Sequence, residues 1–265
     1  MKTKQQTILS AVVAAIGTLM PTAAKAQTSA PQAPAPAGLT GSLSANPNIV
    51  MAGEKTLLTW SINYPSVVKQ YVTITNPGTG GSNPGSIVPL TDLYCDIRII
   101  GQGVTQQSGS SFIFIPTEAT INVNNTSTYS RIFYGTNPEI NPGNVFDLKS
   151  IFGTSYTNNM VRSGRIIRFG GRYFHNNTWS THYKSNSGDN VRFLVHGDVP
   201  PSNVPDYNAP SLESFLRPYL DSAGKVKIGP MDVIVFMELT HSSSQKSNIG
   251  YDLQDMVLLV TFRKP

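Results

Sequence analysis

From residue 55 onward the chain is divided into short runs rich in Val, Ile, Thr, Tyr and Phe, and Gly, Pro, Asn or Ser ends each run. Such runs are too short for helices and have the composition of strands, so the punctuation confines the chain to an all-β fold. Strands are predicted at 55–63, 70–75, 93–100, 111–115, 120–123, 129–134, 165–169, 191–195, 226–228, 233–240 and 256–262. In the first, Thr56, Leu58, Trp60 and Ile62 share one face by period two, with Trp60 as its largest buried anchor. The interval 75–89 holds four glycines and three prolines and reads as loop. A helix is expected after Pro210, where Ser211 can cap it and Leu212, Phe215, Leu216 and Tyr219 fall on one face. The last strand, among the most apolar, is expected at the centre of the core, with 241–250 as the loop leading to it.

The first 26 residues carry Lys2 and Lys4, an apolar stretch at 8–20 and the small-residue end Ala24-Lys25-Ala26. This is the three-part pattern of a secretory signal peptide cut before Gln27. Its apolar stretch is short of the roughly 20 residues that span a bilayer, and no later stretch reaches that length, so no transmembrane segment is expected in the mature chain. Residues 27–41, rich in Pro and Ala, read as an extended linker. The leader removes three of 20 basic residues and none of the 15 acidic ones, so the net charge drops from +5 to +2. A nucleic-acid partner is not implied. Cys95, the single cysteine, cannot form an internal disulfide, and its apolar surroundings point to a buried thiol.

The order Pro47, Gly53, Leu58-Thr59-Trp60, Pro116 and Ser127-Thr128-Tyr129 resembles bacterial extracytoplasmic immunoglobulin-like domains. The resemblance covers 42–135 and lacks the paired cysteines of antibody domains. It implies an antiparallel β-sandwich in which Trp60 fills the space between sheets and Tyr129 makes a tyrosine corner. The expected organisation is a signal peptide (1–26), a linker (27–41), an immunoglobulin-like sandwich (42–136) and a second β-rich unit with one short helix (137–265). The two units either share a core or build one each.

Two groups of residues have chemical potential. Glu238, Asp252 and Asp255 converge if the last two strands pair, and loop oxygens can complete the hard ligand set that suits calcium. The plainer account is that these acids accept backbone N–H bonds at strand ends. Arg168, Arg172, Tyr173, Trp179 and Tyr183 lie in a basic, aromatic stretch running from Arg162 to Lys184. Aromatic faces stack on sugar rings while arginines pair with carboxylate or phosphate, so this stretch is a candidate ligand surface. Its plainer account is an outward polar face with the aromatics packed inside, and the Gly170-Gly171 pair is expected to break the strand register. The four histidines lack chelate spacing, and Ser66-Val67-Val68-Lys69 has the S-x-x-K form without the K-T-G and S-D-N elements that accompany it in serine enzymes. No catalytic residue is assigned. The expected protein is an exported, non-enzymatic interaction or structural module of the bacterial envelope or surface. Its expected partners are other envelope proteins, further copies of itself or glycans; the alternative is a secreted carbohydrate-binding or carbohydrate-active protein, with Glu238 and Asp252 as the acids that glycoside hydrolysis would need.

Overall fold

The computed structural model describes residues 42–47, 58–63, 65–156, 158–201, 211–248 and 250–265; for 42–47, 58–63, 154 and 211–214 only the backbone is described. In chain order the strands are β1 (Ser42–Pro47), β2 (Leu58–Asn63), β3 (Val72–Thr75), β4 (Ser86–Pro89), β5 (Leu93–Gly101), β6 (Thr105–Ser108), β7 (Ser111–Phe114), β8 (Thr117–Val123) and β9 (Ser130–Gly135). They continue with β10 (Phe146–Asp147), β11 (Met160–Val161), β12 (Ile167–His175), β13 (Thr178–Trp179), β14 (Tyr183–Lys184), β15 (Val191–Leu194), β16 (Asp232–Met237) and β17 (Met256–Arg263). Every pair of these strands is antiparallel. The signal-peptide and linker assignments lie outside the described residues, as does the Trp60 side chain; its strand β2 pairs with β1.

Two large sheets form a β-sandwich. One runs β10-β5-β17-β16-β15 with β11 also on β5, and the other runs β3-β4-β12-β8-β9 with β13 and β14 also on β12. Strands from both sides of residue 136 occur in each sheet. Alternation explains the layering. Leu93, Cys95, Ile97 and Ile99 of β5 and Met256, Leu258, Val260 and Phe262 of β17 enter the same core as Ala119, Ile121 and Val123 of β8 and Ile167 and Phe169 of β12. Burial pushes the Cys95 thiol far up, so the cysteine is a protonated core residue.

The opposite face of the six-stranded sheet is also covered. Val257 and Leu259 of β17 join Ile234, Phe236, Leu216, Leu220, Tyr251 and Leu253 in a second apolar cluster. Strand β17 is therefore buried on both sides, which is why its sequence is a continuous apolar run rather than an alternating one. The segment that covers this face, Ser211–Tyr219, is the expected helix, wound as a 3-10 helix. Among the described residues the α-helix is α1 (Leu148–Phe152), one turn started by the Asp147 side chain accepting from the Ser150 N–H at 2.6 Å.

Two expectations fail for local reasons. The 75–89 interval contains β4, whose Ile87 is fully buried against β12, so a short strand lies inside a glycine-rich stretch. The strand expected at 226–228 is reduced to an isolated bridge between Val226 and Leu220.

Candidate functional site

Among the described residues, the outer face of the seven-stranded sheet carries no apolar cluster of its own. Alternation along β8 sends Glu118, Thr120 and Asn122 to this side, away from Ala119, Ile121 and Val123. Register places Arg172, Gly170 and Arg168 of β12 opposite those three residues. Contrary to expectation, Gly170 and Gly171 keep the β12–β8 register unbroken from Ile167 to Tyr173. The glycine at 170 is required by a close crossing: a Cβ there would lie 2.7 Å from the Tyr183 carbonyl oxygen of β14.

At the centre is Glu118, whose side chain is only 4 % exposed. Its Oε1 accepts from Arg131 Nε and its Oε2 from Arg172 Nε, each at 2.6 Å. Each guanidinium also lies against an aromatic ring, Arg172 4.2 Å from the centre of Trp179 and Arg131 5.0 Å from that of Tyr134. Trp179 is braced in turn by Tyr134 at 5.5 Å and Phe174 at 5.1 Å between ring centroids. A buried carboxylate thus fixes two arginines, and these fix two rings.

Arg131 and Tyr134 are three residues apart, a spacing that places side chains on opposite faces of a regular strand. The β9–β8 register skips Ile132, so Arg131 sits opposite Thr120 and Tyr134 opposite Glu118, on one face. The bulge completes the cluster.

Beside it lie Arg168, His182, Lys184 and Tyr129. Arg168 is 6 % exposed, bonds the Asn125 side chain, and meets no carboxylate among the described residues; its Nε and the Oδ1 of the facing Asn122 are unpartnered. The Tyr129 hydroxyl donates to Asn186 Oδ1 at 3.2 Å, and burial pushes its pKa up to about 12. Burial first, then the Arg172 and Lys184 charges, lower the His182 pKa to about 4. Thr120 Oγ1 donates to the Gly170 carbonyl at 3.0 Å and lies 2.9 Å from His182 Nε2, so the neutral imidazole carries its proton on Nε2 and donates it to Thr120.

Of the residues singled out in the sequence, Arg168, Arg172 and Trp179 share this face. Tyr173 and Tyr183 point the other way and pack against the main core. Arg162 lies off the strand in an ion pair with Asp92 at 2.6 Å. Glu118, Arg131 and Tyr134 were not identified as site residues. The alternation in β8 was a signal for Glu118, but no sequence signal marks the bulge that places the other two.

Glu238 and Asp255 meet where β16 leaves its sheet. Glu238 Oε1 accepts from the N–H groups of Thr240 and His241 and Oε2 from those of Asp252 and Leu253, at 2.8 to 3.3 Å. Asp255 Oδ2 accepts from the N–H groups of Leu239 at 2.6 Å and Thr240 at 2.8 Å. Burial, reinforced by the Glu238 charge, holds the Asp255 carboxyl well above the usual carboxylate range. These bonds also hold Leu253 at φ 60°. Among the described residues no group of three or more His, Cys, Asp or Glu is arranged to hold a metal ion.

Hollows occur elsewhere. One of about 240 Å³ is lined by Asn124, Tyr156, Met160, Arg162 and Arg165, and one of about 530 Å³ by Asp189, Arg192, Lys246 and Tyr251. In the larger, Asp189 is paired with both Arg192 and Lys246. Among the described residues no helix is long and apolar enough to cross a membrane. No family model, no curated protein and no solved structure matches the chain.

Proposed function

We propose that this protein is an exported, non-enzymatic interaction module of the bacterial cell envelope or surface, and that it binds through the outer face of its seven-stranded sheet. One observation carries the reading. The outer face of the other sheet lies under apolar side chains, whereas this one presents an ordered set of half-exposed arginines and aromatic rings fixed from beneath by Glu118. Ordering long side chains before a partner arrives lowers the entropic cost of binding. The acids considered for chemistry do not support an enzyme, since Glu238 is fully buried and both it and Asp255 are engaged by backbone N–H groups. A glycan as the bound polymer is the second reading, favoured by the adjacent rings of Tyr134 and Trp179.

The test is sedimentation of the mature chain with isolated envelope fractions of its host, with soluble sugar release followed in parallel. Binding without release is expected, and Arg172→Gln with Trp179→Ala should weaken it. Envelope binding that is indifferent to these changes, or steady release of sugars, would overturn the reading.

A further inference from the structure

We propose that the Glu118-bridged arginine pair is a subsite for an acidic polysaccharide: the guanidinium ends of Arg131 and Arg172 take a sugar carboxylate while Tyr134 and Trp179 provide the surface for the sugar ring. The inference rests on the glycan reading above and specifies its chemistry.

The first observation is which donors remain. A guanidinium has five N–H donors. Arg131 and Arg172 each use Nε on Glu118, and the terminal Nη groups make no hydrogen bond to any described residue. The two Nε atoms bond the two oxygens of one carboxylate, so the guanidinium groups of Arg131 on β9 and Arg172 on β12 are fixed on either side of Glu118, with terminal N–H groups bonded to no described residue. Paired N–H donors of this kind match the geometry of a carboxylate.

The second is charge. On this face β8, β9, β12 and β14 place Arg131, Arg168, Arg172 and Lys184 against the carboxylate of Glu118 alone. Arg168 is buried without a carboxylate partner, so its field is less screened by salt than that of an exposed arginine. His182 stays neutral and takes no part in this balance at neutral pH. The face is complementary to an anion.

The third is the rings. Tyr134 is 41 % exposed and Trp179 is half-buried, with Arg131 and Arg172 holding them in place. Apolar ring surface beside charged forks suits a polymer that alternates sugar ring and carboxylate. The net charge of the whole chain is only +5, which gives little of the long-range field that draws nucleic acid.

The experiment measures binding of the mature chain to polygalacturonate, to the same polymer with its carboxylates reduced to alcohols, and to single-stranded DNA. Polygalacturonate is expected to bind best, and carboxylate reduction should weaken binding about tenfold or more, the scale of one lost charge-assisted hydrogen bond. Arg131→Gln, which can still donate to Glu118, and Tyr134→Ala, at an exposed position, should each weaken binding while the melting temperature stays close to that of the parent. The inference falls if the parent does not bind polygalacturonate, if the reduced polymer binds equally well, if DNA binds more tightly, or if both variants bind like the parent. When envelope sedimentation persists in that case, the broader reading survives; when it too is absent, both fall.

Discussion

Glu118 links the two layers of the candidate site, because a buried carboxylate must find donors and its two partners each carry an aromatic contact. Replacing it by Gln leaves two guanidinium Nε groups facing one neutral oxygen and an amide N–H. Since Arg131 is 52 % exposed and Arg172 31 %, water takes over part of the lost interaction. Glu118→Gln is therefore expected to cost about 1–2 kcal/mol in chemical denaturation and to loosen the Arg172–Trp179 contact, read as a change in tryptophan fluorescence. At Asp255 the relevant variable is pH. The folded chain holds a proton there that the unfolded chain releases near pH ~4. This contribution to stability is complete below that pH and is lost as pH rises through the raised folded value. Asp255→Asn keeps the shape and does not titrate. Its stability relative to the parent should rise from pH 4 towards pH 9, and parallel curves would contradict the assignment.

At the scale of elements, two strands show how the sheets are held. Strand β15 is the last strand of its sheet, and Asn76 closes it: its Oδ1 accepts from the Phe193 N–H at 2.7 Å and its Nδ2 donates to the Phe193 carbonyl at 3.0 Å, as a neighbouring strand would. Asn76→Ala should cost about 1–2 kcal/mol and speed amide exchange at Phe193, with exchange at Ile121 unchanged. Strand β17 lies between β5 and β16. Leu258→Ala opens a cavity in a fully buried strand and should cost about 3–5 kcal/mol. Its position was legible beforehand, because an apolar run such as Met256-Val257-Leu258-Leu259-Val260 is most easily accommodated with both faces covered. Most other strands were legible from alternation and turn residues. The bulge at Ile132 was not, because it depends on which strand lies beside β9, and with it Arg131 and Tyr134 escaped notice. The 3-10 form of Ser211–Tyr219 was hidden similarly, since spacing shows which side chains share a face but not how tightly the backbone winds.

At the scale of the molecule the sandwich is asymmetric. One outer face is sealed by apolar packing, and the other carries fixed charge and aromatic rings over a polar strand. The candidate site follows from that asymmetry rather than from a short motif, which is why the sequence suggested Arg168, Arg172 and Trp179 but not the carboxylate that organises them. The two tyrosines it also suggested, Tyr173 and Tyr183, lie on the inward side of the same sheet, where neighbouring residues alternate between the outer face and the core. The most direct test of the proposed envelope binding is an amide chemical-shift titration of the protein with solubilised envelope polymer from its host. The account predicts shifts concentrated at Glu118, Arg131, Tyr134, Arg172 and Trp179, with Leu216 and Tyr219 on the sealed face unmoved. Shifts centred on the sealed face or on the hollow around Asp189, with the Glu118 cluster unaffected, would contradict it.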